Sequence, residues 1–115
     1  MKVDLSRLPP AVHWLLHSSI ISAEVFGTTA PWYILEESAR FYANERWPGI
    51  TTSTLYVFAR RQDNDDLASL VAMPDGSSEV WLLHGWTTEG FSVDRRYPDV
   101  WQWLHLVLAD VKERL

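Results

Sequence analysis

Cysteine is absent from this sequence of 115 residues, and its absence excludes several kinds of chemistry at once. The chain can form no disulfide, supply no thiolate nucleophile and build no cysteine-ligated zinc site. No stretch approaches the roughly eighteen apolar residues of a membrane-spanning helix. The opening residues, MKVDLSR, contain an acid and no apolar signal-peptide core. We therefore expect a soluble, unexported protein, and its composition is compatible with a reducing cytoplasm.

Basic residues and glycine are also scarce. Ten Lys and Arg residues stand against fifteen Asp and Glu residues, which gives a net charge of -5. This charge opposes the counterion release through which proteins hold nucleic acids, whereas it favours encounter with a basic protein. The five glycines form no phosphate-binding loop, and no serine lies in a Gly-x-Ser-x-Gly turn. We expect no nucleic-acid partner, and nucleophilic catalysis has little support.

The chain is otherwise rich in core-forming residues. Hydrophobic residues make up 47%, and seven are tryptophan. One domain spanning 1–115 fits this length, and no repeat or linker divides it. A short helix should begin near Pro10, with Val12, Leu15 and Leu16 on one face. Residues 19–27 fit a helix or a strand equally well.

The middle and end of the chain predict an α+β fold. A turn at 31–33 leads into a predicted helix from Leu35 to about Arg46, in which Glu36 would pair with Arg40. Strands follow at 54–59, 67–72 and 79–84, and a Pro-Asp-Gly turn separates the last two. An antiparallel meander is the economical arrangement, with N-terminal helices before it and a C-terminal helix packed on the sheet.

The C-terminal helix gives the clearest periodic signal. A predicted loop through Gly85, Gly90 and Pro98 leads to this helix. Asp99 is the predicted N-cap, and Gln102 stands where a capping box would place it. Trp101 and Trp103 point to different helix faces, so at least one of them should lie outside the core stripe. The predicted stripe consists of Val100, Leu104, Val107, Leu108, Val111 and Leu115.

A cluster of charge at 60–66 is the first candidate site. Arg60 and Arg61 precede Asp63-Asn64-Asp65-Asp66, and clustered carboxylates can bind Ca²⁺ or Mg²⁺. An EF-hand counted from Asp63 fails, because Ala68 and Pro74 stand where Gly and Glu are required. A solvated strand connection with Asx-type turns, partly neutralised by the arginines, is the favoured interpretation. A partner-facing acidic loop and a metal site are the alternatives.

The histidines and one tryptophan complete the candidates. His13 and His17 lie four residues apart on one predicted helix face, as in a zinc site, but no third ligand is evident, so polar helix positions are the simpler interpretation. His84 and His105 could each act as a general base, although lone histidines usually only form hydrogen bonds. Trp86, in a glycine-flanked loop, is a candidate interface anchor.

Five segments together resemble bacterial members of the SUKH superfamily, the Smi/Knr-like proteins. They are GTTAPWYIL (27–35), RWP (46–48), FARRQDNDDLA (58–68), VWLLH (80–84) and WQWL (101–104). The chain departs from the family pattern at Ser69 and at GWTT (85–88). The resemblance implies an α+β domain without enzymatic activity. Many bacterial members are thought to be immunity proteins that neutralise a cognate polymorphic toxin, often a nuclease, whereas eukaryotic relatives are regulatory interaction proteins in cell-wall control.

The hypothesis from the sequence is therefore a cytoplasmic immunity protein that covers the active site of a basic toxin domain. It has no cofactor, metal ligand or catalytic residue. The alternatives are a regulatory interaction module with an endogenous client and a small metal-dependent hydrolase using His84 or the acidic cluster. The oligomeric state stays open. The predicted partner-binding residues are Asp63, Asp65, Asp66, Trp86, Glu89 and Asp94.

Overall fold

The structure, a computed structural model, describes residues 7–17 and 31–114. Expectations for residues 1–6, 19–27 and Leu115 lie outside this part. The α+β prediction is confirmed, because an antiparallel sheet of six strands packs against helices. The elements in chain order are α1 (Pro10–His17), β1 (Trp32–Ile34), a 3₁₀ helix (Glu37–Ala39), β2 (Phe41–Tyr42), α2 (Ala43–Arg46), β3 (Tyr56–Arg61), β4 (Leu67–Ala72), β5 (Ser78–His84), β6 (Ser92–Tyr97) and α3 (Val100–Arg114).

The sheet is the predicted meander with additional strands at both edges. Its order is β1-β3-β4-β5-β6, and every pairing is antiparallel. Strands β1 and β2 share the outer side of β3: β1 pairs with residues 59–61, and β2 pairs with residues 56–57. Strand β6 forms the opposite edge. No helix in the described ranges has the length and apolar character needed to cross a membrane.

Each face of the sheet is buried against a different layer, because successive side chains of a strand point to opposite faces. The first face packs against α1 and α3, and the second packs against the 41–47 segment. The first core includes Val12, Leu15, Trp32, Phe58, Leu70, Val80, Leu82, Val100, Trp103 and Val107. The second includes Ala43, Trp47, Leu55, Val57, Leu67, Val71, Trp81 and Leu83.

Helix α3 begins at the predicted cap. The Asp99 Oδ1 atom accepts a hydrogen bond from the Gln102 N–H at 2.9 Å. Trp103 is fully buried, whereas Trp101 is 51% exposed, so the expected separation of the two indoles is confirmed. Leu108 was wrongly placed in the core stripe, since it is 56% exposed. At about 100° per residue it lies roughly 90° from the centre of the buried arc.

The predicted helix from Leu35 to Arg46 is wrong over most of its length. Arg40 is extended, at φ -74° and ψ 146°, and residues 41–42 pair with β3. Arg40 was predicted to pair with Glu36. In the structure its guanidinium donates to the backbone carbonyls of Leu35 and Leu16, each at 3.0 Å. Pairing with the outer side of β3 therefore overrides local helix propensity. Within 35–46, α-helix is limited to residues 43–46, and residues 37–39 form the 3₁₀ helix.

Two strands replace expected irregular segments. The predicted turn at 31–33 overlaps β1, and the predicted loop before Pro98 contains β6. Strand β6 has little apolar alternation, because it is a largely exposed edge. The Pro-Asp-Gly turn between β4 and β5 is confirmed: the Gly76 N–H donates to the Met73 carbonyl at 3.0 Å, and the glycine has φ +88°.

Candidate protein-binding surface

Two loops meet at one end of the sheet. Residues 62–66 connect β3 to β4, and residues 85–91 connect β5 to β6. The first loop is closed by backbone hydrogen bonds between Arg61 and Asp66 at 2.8 Å and between Asp65 and Arg61 at 3.1 Å. The Asn64 side-chain oxygen accepts from the Asp66 N–H at 3.0 Å, which confirms the expected Asx turn. We call this pair of loops the loop-end surface.

Asp65 has an unusual backbone conformation within the loop-end surface. Its φ is +63°, in the left-handed region that aspartate and asparagine tolerate better than most residues. This conformation lets the chain reverse between β3 and β4 without glycine. Aspartate at this position is therefore partly explained by the turn itself.

Two arginines neutralise part of the acidic cluster, as the sequence predicted. Arg60 contacts the Asp65 carboxylate at 2.7 Å. Arg61 contacts Asp63 at 2.6 Å and Asp110 of α3 at 3.3 Å. The hydrogen bond to Asp63, aided by the nearby carboxylates, raises the pKa of Arg61 above its ordinary value despite partial burial. The arginines therefore hold the two most exposed carboxylates of the loop in fixed positions.

Asp66 differs from the other carboxylates because it faces inward. It is only 7% exposed, and its Oδ1 atom lies 2.6 Å from His84 Nδ1. Its Oδ2 atom accepts from the Asn64 side-chain amide at 3.3 Å. The His84 side chain is 54% exposed. With Asp66 as a carboxylate, the His84 Nδ1–H is the donor of this hydrogen bond and the carboxylate is the acceptor.

Trp86 fastens the second loop to the first. Its Nε1–H donates to the Asp65 carbonyl at 2.6 Å. Its ring lies 5.9 Å from that of Trp47, whose own Nε1–H donates to the Thr87 carbonyl at 2.7 Å. The Arg60 guanidinium stands 5.9 Å from the Trp86 ring centroid. Trp86 is half-buried, so part of the indole remains available to a partner.

Arg46 borders the loop-end surface, although the sequence assigned it no role. Its guanidinium lies 4.3 Å from the Phe41 ring centroid, 5.5 Å from that of Trp47 and 5.9 Å from that of Trp86. Arginine over aromatic rings is a favourable cation–π arrangement. The sequence contained one sign of this contact, because Arg46 directly precedes Trp47. The loop-end surface consequently carries carboxylates and is bordered by cations.

Two other predicted binding residues, Glu89 and Asp94, lie at different distances from Asp65 and Trp86. Glu89 is exposed in the same loop as Trp86, and its N–H donates to Thr87 Oγ1 at 3.1 Å. Asp94 lies on β6, where the pairing with β5 shifts register. It is exposed and two strands from β4, which corresponds to about 10 Å across the sheet. The structure thus brings Asp63, Asp65, Asp66 and Trp86 together, but it places Asp94 on the edge strand.

The chemistry available to the loop-end surface is ion pairing, hydrogen bonding and aromatic contact. Within the described residues, no group of three His, Asp or Glu side chains is arranged to hold a metal ion. The Asp66–His84 pair is the arrangement that could move a proton, since a carboxylate fixes the imidazole. No protein-family model, curated protein or solved structure matches this chain.

Proposed function

We propose that this domain is a SUKH-type immunity protein that binds a cognate toxin domain in the cytoplasm and covers its active site without catalysing a reaction. The observation that carries the proposal is the prearranged loop-end surface. Asp63 and Asp65 are exposed yet held by Arg61 and Arg60, and Trp86 is bonded to the same loop. A surface ordered before binding loses less conformational entropy in the complex.

The charge of the chain indicates the kind of partner. A net charge of -5 favours encounter with a basic domain. The carboxylates of Asp63 and Asp65 already pair with Arg61 and Arg60. A basic side chain of the partner would therefore share each carboxylate with an arginine of this protein. We therefore expect the neighbouring indole of Trp86 to provide the apolar anchor and the charged groups to provide orientation. Glu89, in the same loop, would lie at the rim of the contact.

Isolation of the partner is the first experiment. The tagged protein would be recovered from its native cells at moderate salt, and bound proteins would be identified by mass spectrometry. A basic C-terminal domain of a large secreted protein, inhibited by this protein in a direct activity assay, is the expected result. A housekeeping client would instead favour the regulatory module.

The role of the loop-end surface is tested with the recovered domain by calorimetry. The combined variant Asp63→Asn/Asp65→Asn should bind at least tenfold more weakly, because two shared carboxylates are lost. Asparagine also tolerates the left-handed conformation at position 65. Asp75→Asn is the matched control, since Asp75 is exposed in the β4–β5 turn at the other end of the sheet. Equal affinities for the wild type, the combined variant and the control would mean that the loop-end surface is not part of the interface.

A small hydrolase is a second candidate, and the Asp66–His84 pair is the observation that favours it. A buried carboxylate 2.6 Å from a solvent-exposed imidazole is an arrangement suited to general-base activation of water. The test is hydrolysis of an activated ester by the wild-type protein and by His84→Gln. Loss of hydrolysis in the variant would support the hydrolase, and equal rates would exclude His84 as its base.

A further inference from the structure

His13 and His17 form an ordered pair on the outside of α1. Their ring centroids are 6.4 Å apart, and the ring planes differ by only 4°. His17 is exposed, and His13 is partly exposed. We propose that this pair chelates a divalent transition-metal ion of the group that prefers imidazole ligands, with Zn²⁺ as the test ion. Neither histidine belongs to the loop-end surface, so this site is independent of the proposed function.

The donor set fits such an ion in chemistry and in distance. Imidazole nitrogens suit Zn²⁺, Cu²⁺ and Ni²⁺. Zinc–nitrogen bonds are about 2.0–2.1 Å long, so two nitrogens on one ion lie about 3 Å apart. Histidines four residues apart share a helix face, and rotation about the side-chain bonds can bring nitrogens of the two parallel rings to this separation. The remaining coordination positions would hold water or a side chain of another protein.

The helix presents the pair in a fixed position. Val12, Leu15 and Leu16 on the opposite side of α1 are buried in the first core, which anchors the helix before any ion binds. His17 lies in the last helical turn, where the macrodipole favours a cation. The Arg40 guanidinium, which donates to the Leu16 carbonyl at 3.0 Å, opposes this effect because it adds a positive charge at the same end.

Calorimetric titration with Zn²⁺ alone, in a buffer that does not bind metals, tests the site. The wild-type chain should bind one ion at the pair. His13→Gln and His17→Gln should each bind it at least tenfold more weakly, because a single imidazole cannot chelate. His105→Gln is the matched control, since His105 is exposed on α3 and lies outside the pair. This control should retain the wild-type affinity.

Thermal unfolding gives a second measurement. An ion that binds only the native state raises the unfolding midpoint, so Zn²⁺ should raise it for the wild-type chain and for His105→Gln. The shift should disappear in His17→Gln, whose exposed position makes disruption of the fold unexpected. Unchanged affinity in both pair variants, an equal loss in the control, or no binding to the wild-type chain would each overturn the proposal.

Discussion

The contact between Asp66 and His84 should stabilise the fold more than the exposed Arg60–Asp65 ion pair does. Asp66→Asn removes the charge while nearly preserving shape, and His84→Gln removes the imidazole. If the two residues interact as the 2.6 Å contact indicates, either single change should lower the free energy of unfolding. The combined variant should lose less than the sum of the two single changes, because the second change removes an interaction that is already broken.

The magnitude follows from the unequal burial of the two partners. Hydrogen bonds to charged groups contribute about 1.5–3 kcal/mol, and Asp66 at 7% exposure has little access to compensating water. His84 is 54% exposed, so solvent can partly replace the contact, and exposed pairs contribute only about 0–1 kcal/mol. We therefore expect a coupling free energy of about 1–2 kcal/mol for Asp66 and His84. The exposed Arg60–Asp65 pair should give about 0–0.5 kcal/mol.

Urea unfolding followed by tryptophan fluorescence measures both coupling free energies. The control cycle uses Arg60→Gln, Asp65→Asn and their combination. A coupling for Asp66 and His84 no larger than that of the control pair would refute the argument from burial. The same burial makes Asp66→Lys unsuitable for interface studies, because a buried lysine beside His84 would disturb the fold whether or not a partner contacts the loop.

Three further predictions concern other parts of the fold. Trp103→Ala should destabilise the protein by about 3–5 kcal/mol in urea unfolding, and Trp101→Ala by about 1 kcal/mol or less; equal losses would contradict the assignment of their faces. Asp99→Ala should cost about 1 kcal/mol through loss of the N-cap, and an unchanged unfolding midpoint would count against it. The Ser77 hydroxyl and then its N–H lower the pKa of Asp75, so this stabilisation is present above the unfolded-state pKa and is lost as the pH falls through the folded-state pKa. An NMR titration should find the pKa of Asp75 raised in Ser77→Ala, and no change would refute the hydroxyl's role.

The parts of the fold that the sequence predicted well have strong local signals. Strand β4 occupies the predicted residues 67–72, and β5 begins only one residue before the predicted start. The turn between them depends on Gly76, whose positive φ is a local requirement. Helix α3 combines a capping residue with a long apolar period. Each of these features depends on residues close together in the chain.

The parts that were predicted wrongly depend on distant partners. The segment 35–46 has helical periodicity, but β3 offers it a sheet edge, and pairing at 41–42 interrupts the helix. Strand β6 is defined by its pairing with β5, and its mostly exposed side chains leave little apolar alternation to detect. In both segments the conformation is determined by pairing with a neighbouring strand. Strand propensity alone would not have predicted it.

The candidate site was predictable in composition but not in geometry. The sequence identified the acids and suggested that Arg60 and Arg61 neutralise them. It could not reveal that Asp66 turns inward to His84, because these residues are 18 positions apart and meet only through the register of β4 and β5. The bond from Trp86 to the Asp65 carbonyl likewise depends on how residues 85–91 fold over the neighbouring loop.

Strand β6 bears on the behaviour of the protein at high concentration. An edge strand presents unpaired backbone groups to which another chain can add and begin an aggregate. Here Asp94, Arg95 and Arg96 are all exposed, and the register shift disturbs the regular ladder that an incoming strand would need. Arg96 also lies 4.0 Å from the Trp81 ring centroid and helps to cover that indole. A charged, irregular strand of this kind disfavours the addition of a strand from another chain.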